Sequence, residues 1–271
     1  MPLGGPEGRG RNASAKRSLG QNFLTDANIA RKIVDSLDIR PGDNVLEIGP
    51  GRGALTRHIL DRQPGRLVVL EKDDDLAQAL VERCPTIELI AGDALRFPWP
   101  TLEPGAGWKI VGNLPYNIAS PLIWDIVSQA RFASAVFMVQ LEVGQRIKAP
   151  YGGKEYGALS VWVQSHARVE LLFKVPPQVF QPRPKVTSAV MRFFLLPQPP
   201  EPQAAQALAA TLRMCFQQRR KQLATILKSK EIEGADKLLL ELGIQPSQRP
   251  ETLGPERFQV LSNRLRNKFG S

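Results

Sequence analysis

From Asn28 onward, Ile29, Ile33 and Leu37 recur every fourth residue with Ala30 and Val34 beside them. That spacing predicts a helix burying one stripe before Pro41-Gly42-Asp43 turns the chain. Short apolar runs follow. Val45-Leu46-Glu47-Ile48, Leu67-Val68-Val69-Leu70, Ile87-Glu88-Leu89-Ile90, Ile110-Val111 and Ala135-Val136-Phe137-Met138-Val139 are strand-like, and helical patterns at 54–61, 75–83, 119–130 and 141–148 fall between or after them. The alternation predicts an α/β fold with a parallel sheet covered on both faces. Two further strand candidates, 169–175 and 188–196, are separated by a proline-rich segment instead of a helix, so the sheet is expected to finish with an antiparallel pair.

Residues 197–202, Pro-Gln-Pro-Pro-Glu-Pro, predict a linker, because proline lacks the N–H that helices and central strands require. Beyond it Leu208, Leu212, Cys215 and Phe216, then Leu223, Ile226 and Leu227, keep helical spacing, as do 238–242 and 258–265. A small all-helical C-terminal domain is therefore expected over 203–271, a main domain over 16–196, and a flexible basic tail over 1–15. There is no internal repeat.

Composition narrows the picture without deciding it. A chain of 271 residues, 42% of them hydrophobic, can build its core without staples. Cys84 and Cys215 lie far apart with no C-x-x-C spacing, so neither a disulfide nor a zinc site is expected; both are read as buried small hydrophobes. His58 and His166 cluster with no acids or cysteines and are read as structural, and no metal is expected. Without a signal-like N-terminus or a bilayer-length apolar stretch, the expectation is a cytoplasmic protein with no membrane partner, and without a heptad pattern, a monomer. Lys plus Arg exceed Asp plus Glu by 36 to 26, a net charge of +10 that suits a polyanionic partner but equally fits a soluble protein with surplus cations.

The first strand runs into Glu47-Ile48-Gly49-Pro50-Gly51-Arg52-Gly53 and then a helix. In an open parallel sheet the ligand crevice lies beyond the carboxyl ends of the strands, so these glycines face it, although tight turns without a ligand use glycine too. Glu71 ends the second strand about 20 residues on, where a carboxylate can accept from both ribose hydroxyls. That pairing fits a nicotinamide dinucleotide as well as S-adenosylmethionine. Gly92-Asp93-Ala94 at the third strand's end separates them, since Asp93 can accept from an adenine amine; its plainer reading is a helix N-cap.

Asn113-Leu114-Pro115-Tyr116 directly follows the fourth strand and carries the most specific chemistry. An exocyclic adenine amine is a poor nucleophile because its lone pair is delocalised into the ring. Acceptors such as the Asn113 side-chain oxygen and the Leu114 carbonyl would draw the nitrogen toward a tetrahedral form, a task for positioning and electrostatics more than for a strong base. Tyr116 offers a ring on which an extruded base can stack, and Pro115 stiffens the turn. Singly each residue has a structural explanation; together, downstream of the glycine loop and Glu71, they point to adenine methylation.

These segments resemble the ribosomal RNA small subunit methyltransferase A family, the adenine dimethyltransferases. The matching stretches are Lys16-Arg17-Ser18-Leu19-Gly20-Gln21-Asn22-Phe23-Leu24, 47–53, Glu71-Lys72-Asp73, Gly92-Asp93-Ala94, 113–116, Val179-Phe180-Gln181-Pro182-Arg183-Pro184-Lys185-Val186, Gln218-Arg219-Arg220-Lys221 and Pro246-Ser247-Gln248-Arg249-Pro250-Glu251. The likeness implies a Rossmann-like class I methyltransferase fold with a mostly parallel seven-stranded sheet. It also implies S-adenosylmethionine as cofactor, with Gln21, Asn22 and Leu24 closing over its methionine end and Gly49 and Gly51 beneath. Glu71, followed by Lys72, would hold the ribose and Gly92, Asp93 and Ala94 the adenine; Asn113 would touch the cofactor as well and, with Leu114, Pro115 and Tyr116, would hold the target base, with Phe180 as a second aromatic wall. Such enzymes dimethylate two adjacent adenosines near the 3′ end of small-subunit (16S) rRNA, in the immature small subunit. Leu19 departs from the family, where an aromatic is usual.

On the basic surface, Arg213, Gln217 and Arg220 are expected on one helical stripe with Lys221 adjoining, and with Arg219 they form the RNA-binding candidates; Arg9, Arg11, Lys16 and Arg17 add charge from the tail. Solvated surface charge is the alternative for each. Phe180, among Pro177, Pro182 and Pro184, is equally readable as a packing anchor. Two other functions stay open from sequence: a non-enzymatic RNA-binding assembly or transcription factor on the same fold, and an adenine methyltransferase acting on large-subunit rRNA or DNA. The 218–221 segment and the Phe180 loop look closer to the small-subunit group.

Overall fold

The computed structural model describes residues 21–102 and 105–269. Arg9, Arg11 and residues 16–20, with Leu19 among them, lie outside the described residues, as does the predicted tail over 1–15.

A short strand, β1 (Phe23–Leu24), leads into helix α1 (Ala27–Asp35), whose N-cap Asp26 accepts from the backbone N–H groups of Asn28 and Ile29 at 2.8 and 3.0 Å. Strands β2 (Asn44–Ile48), β3 (Arg66–Glu71) and β4 (Glu88–Ala91) then alternate with helices α2 (Thr56–Leu60) and α3 (Asp74–Arg83). Next come β5 (Lys109–Asn113), α4 (Ala119–Gln129), β6 (Ser134–Gln140), α5 (Leu141–Lys148) and α6 (Ala158–His166). After β7 (Ala167–Val175), β8 (Phe180–Gln181) and β9 (Ser188–Leu195) the chain is helical: α7 (Pro202–Phe216), α8 (Leu223–Lys228), α9 (Ala235–Glu241) and α10 (Pro255–Phe269).

The seven-stranded sheet has the order β4-β3-β2-β5-β6-β9-β7, with β9 inserted antiparallel between β6 and β7. The pair β7 and β9 is the antiparallel finish expected from the proline-rich connection. The chain builds outward from β2 to the β4 edge and then returns to place β5 on the other side of β2. Because the connections leave β2 and β5 in opposite directions, a crevice opens beyond their carboxyl ends. Alternate strand residues feed two cores. Leu46, Val68, Ile110, Phe137 and Met191 face the α4 and α6 side, while Val45, Val69, Val111, Met138 and Val190 face α1, α2 and α3.

Three differences from expectation have local causes. Helix α6, with seven of nine residues buried, carries apolar residues around its circumference and so shows no amphipathic stripe to read. The linker ends one residue early: Pro202 is the first residue of α7, a position whose N–H would be unsatisfied in any helix. The stripe of Arg213, Gln217 and Arg220 is interrupted, since α7 ends at Phe216, Gln217 is its C-cap and Arg220 lies in the following turn. Cys215 is fully buried as expected, whereas Cys84 is half-buried at the C-cap of α3. Both histidines are buried, with His166 Nδ1 2.7 Å from the Trp162 carbonyl.

The C-terminal helices share a core with the sheet. Leu208, Leu212, Leu227, Phe258 and Leu261 belong to one continuous apolar cluster with Leu46 and Ile110, bridged by α6 against α7 and α10.

Candidate active site at the β2 and β5 strand ends

A crevice with about 1210 Å³ of empty space, open to solvent at its mouth, lies over the ends of β2, β3 and β5. Its floor is the glycine loop. Gly49 and Gly51 take φ values of +63° and +56°, which side-chain-bearing residues seldom adopt. A Cβ on Gly49 would meet no atom within 4 Å, so that glycine serves the backbone path and an open approach, not packing. On Gly51 a Cβ would stand 3.1 Å from the Phe23 ring, which closes over the loop from β1.

Two carboxyls stand under and beside the loop. Glu71, 6% exposed, accepts from the backbone N–H groups of Gly51 at 3.1 Å and of Lys72 and Asp73 at 2.9 Å each. Burial nevertheless raises its pKa, outweighing those three donors. Glu47 is 1% exposed; Oε2 accepts from the Thr56 hydroxyl at 2.7 Å and Oε1 has no partner. Burial pushes this carboxyl up to about 8, and the neighbouring Glu71 adds to the rise. Sequence reasoning assigned Glu47 no role; one acid inside the apolar run Val-Leu-Glu-Ile was the available signal.

Just past the end of the neighbouring strand β4, Asp93 does two things. Its Oδ1 caps the following turn by accepting from Leu95 N–H at 3.0 Å, and its Oδ2 pairs with Lys72 Nζ at 2.8 Å, which holds its carboxyl below the usual range. The plainer N-cap reading and a place on the crevice wall are thus both satisfied, and Gly92 and Ala94 line the crevice beside it.

The turn after β5 forms the remaining side. Asn113 Nδ2 donates to the backbone carbonyl of Asn22 at 2.9 Å. That bond orients the amide, and among the described residues nothing donates to Asn113 Oδ1 or to the Leu114 carbonyl. Leu114 N–H donates to the Met138 carbonyl at 3.1 Å, and Pro115 accepts from Ile118 and Ala119, so the turn is tied to both β6 and α4. Tyr116 is half-buried, its pKa is raised by burial, and its hydroxyl lies 2.7 Å from Ser188 Oγ.

Gln21, Asn22, Leu24, Gly49, Gly51, Glu71, Lys72, Gly92, Asp93, Ala94, Asn113, Leu114, Pro115 and Tyr116 therefore all line one crevice, brought together from positions up to 95 residues apart in sequence. Gln21 is steadied by a 3.2 Å bond from its side chain to Asp73. Phe180 is not among them. It is 4% exposed, pairs with Leu24 in the two-stranded β1 and β8 ladder, and packs into the core on the α1 side. The packing alternative for that residue is what the structure displays.

The RNA-binding candidates lie apart from the crevice. Arg213, Arg220 and Lys221 are exposed. Arg219 is turned inward: its Nε contacts Glu251 at 2.6 Å and an Nη donates to the Lys154 carbonyl at 2.8 Å, tying the segment after α7 to the loop between α5 and α6. Among the described residues no group of His, Cys, Asp and Glu could hold a metal ion, and no helix is long and apolar enough to cross a membrane.

The family profile of Ribosomal RNA adenine dimethylase matches residues 12–267. Ribosomal RNA small subunit methyltransferase A of Maridesulfovibrio salexigens is 52% identical over 257 residues, covering 95% of this chain and 98% of that protein. The protein of the same name from Pseudomonas aeruginosa is 41% identical over 93% of this chain and 94% of its own. Among solved structures, the 23S rRNA methyltransferase ErmE superposes with a TM-score of 0.67 at 30% identity, covering 90% of this chain and 99% of that one. A dimethyladenosine transferase from Plasmodium falciparum gives 0.76 at 24% identity over 90% of this chain and 98% of that one, a likeness of fold.

Proposed function

The chain belongs to the ribosomal RNA adenine dimethylase family, and on that premise we propose that it dimethylates the exocyclic amine of two adjacent adenosines near the 3′ end of small-subunit (16S) rRNA. The observation that carries the reading is the pinned amide of Asn113: with Nδ2 committed to the Asn22 carbonyl, Oδ1 is left as an acceptor beside the open Gly49 backbone.

S-adenosylmethionine fits the residues around it. Glu47 Oε1, an unpartnered oxygen in the crevice lining, leaves a hydrogen-bonding position for a polar ligand group, and the space over Gly49 admits a close backbone approach. Glu71 would take the ribose hydroxyls and Asp93, with Gly92 and Ala94, the adenine; Lys72 would keep Asp93 ionised, and Gln21, Asn22 and Leu24 would close the methionine end. When bound, the cofactor supplies an electrophilic methyl on a positively charged sulfur. Asn113 Oδ1 and the Leu114 carbonyl accept the two amine hydrogens, which localises the nitrogen lone pair for attack. Tyr116 supports the base from one face and Pro115 keeps ring and acceptors in register. After one methyl has been added a single N–H remains, and one acceptor suffices to orient it.

The exposed Arg213, Arg220 and Lys221, with the net charge of +10, support an RNA partner, the immature small subunit, approached by a cytoplasmic monomer. A purely binding role would leave the oriented amide and the open glycine loop without a task.

Incubating the protein with labelled cofactor and, separately, immature small subunits, large subunits, naked RNA and DNA tests the reading. Label should enter adenines of small-subunit RNA only; preferential labelling of large subunits or DNA would replace the substrate assignment. Asn113→Ala should lower transfer by roughly 10³-fold or more while cofactor affinity changes little, and an unimpaired variant would refute the role given to that side chain.

A further inference from the structure

Tyr116 and Ser188 are 72 residues apart, yet their hydroxyl oxygens lie 2.7 Å from each other. Their settings differ. Tyr116 sits on a half-buried turn, where its ring can rotate about two side-chain torsions. Ser188 is 0% exposed and opens β9, with its backbone paired to Gln140 of β6 on one side and Val175 of β7 on the other. The residue before it, Thr187, accepts from Leu141 N–H at 2.9 Å. Of the two, Ser188 is the fixed point.

A hydroxyl in that place calls for a reason. The residues that follow on β9, Ala189, Val190 and Met191, are all apolar and fully buried. A buried hydroxyl costs free energy unless it is hydrogen-bonded, so alanine would suit the packing better if packing were the only demand. Tyr116 supplies the one bond that Ser188 Oγ makes among the described residues. The proline-rich segment 179–186, which contains Phe180, runs directly into this strand.

We propose that Ser188 is a positioning residue for methyl transfer, its hydroxyl setting the plane and tilt of the Tyr116 ring; this rests on the reading of Tyr116 as the surface against which the target adenine lies. Stacking depends on the ring plane, and the amine must reach the acceptors of Asn113 and Leu114 at the same time as its base lies on that ring. A ring free to swing would populate poses in which the base is held but the nitrogen is misaimed. Ser188 thereby acts on the transfer step more than on cofactor binding.

The experiment is a double-mutant cycle on the full chain with Ser188→Ala, Tyr116→Phe and the pair. It reads single-turnover transfer to immature small subunits, cofactor affinity, and the fluorescence of 2-aminopurine placed at the target position. Each single change should slow transfer about tenfold and weaken the stacking quench with unaltered cofactor affinity, and the double should be no slower than the slower single. Losses that multiply in the double, or full-rate transfer by either single, would overturn the proposal. Tyr116→Phe removes the same bond without touching the sheet, so a folding defect in Ser188→Ala does not shield the idea. Tyr116→Ala separates the two readings: wild-type transfer by that variant removes the stacking role and the proposal with it, whereas a dead Tyr116→Ala beside a fully active Ser188→Ala removes the proposal alone.

Discussion

Glu47, one residue before the end of a parallel strand, lies where water cannot reach it, and its chemistry has a consequence for stability. Its ordinary pKa of 4.5 is pushed up to about 8 by burial. Between those values the folded state keeps a proton that the unfolded chain has released, so the stabilising contribution is complete below about 4.5 and fades as pH rises toward about 8. Glu71 shifts in the same direction for the same reason, while Asp93 and Glu170, held low by Lys72 and Arg192, have the opposite dependence and act at acid pH. Comparing Glu47→Gln with the parent chain isolates the one residue. The melting temperature of the cofactor-free parent should fall relative to that of the variant between pH ~5 and ~8, by something on the order of 5–10 °C. Parallel melting curves for the two proteins would mean that Glu47 is already ionised in the fold.

At the scale of elements, β1 and β8 form the smaller of the two sheets among the described residues and hold much of the crevice in place. Pairing Phe23 with Gln181 and Leu24 with Phe180 fixes the segment that carries Gln21 and Asn22 over the crevice. Phe180 anchors that ladder in the core, so Phe180→Ala should cost about 3–5 kcal/mol in denaturant unfolding and also weaken cofactor binding by releasing β1. A variant with unchanged stability but a raised KM for RNA would instead return Phe180 to the wall of the base pocket. Arg219 works in a comparable way between α7 and the loop before α6. Arg219→Ala should lower stability by roughly 1 kcal/mol and leave the salt dependence of RNA binding intact, whereas Arg220→Ala should reduce that salt dependence and spare stability.

For the molecule as a whole, the shared core of the sheet and the C-terminal helices predicts one unfolding transition. Probes placed in β2 and in α10 should report the same midpoint. Two separated transitions would establish the helical part as an independent domain. The surplus of ten positive charges predicts RNA affinity that falls steeply with salt. Replacing Arg213, Arg220 and Lys221 together should lower the slope of log affinity against log salt by about 0.7–0.9 for each phosphate that is no longer neutralised. An unchanged slope would move the RNA footprint to another face.

Strand and helix order, the glycine loop, Glu71 and the Asn113 to Tyr116 turn were legible along the chain because each is a local pattern: alternation in a strand, a backbone that only glycine follows freely, a polar turn where a strand stops. Helix α6 was not, since a helix buried on every side has no periodic contrast to display. The hydrogen bond from Asn113 to Asn22, the one between Tyr116 and Ser188, the inward turn of Arg219 and the burial of Phe180 span 91, 72, 32 and 156 residues respectively. Sequence thus determined which polar residues and glycines stand at the strand ends around the crevice. Only the folded chain decided which of them are aimed and by what, because such bonds exist once the sheet has brought distant segments within hydrogen-bonding distance.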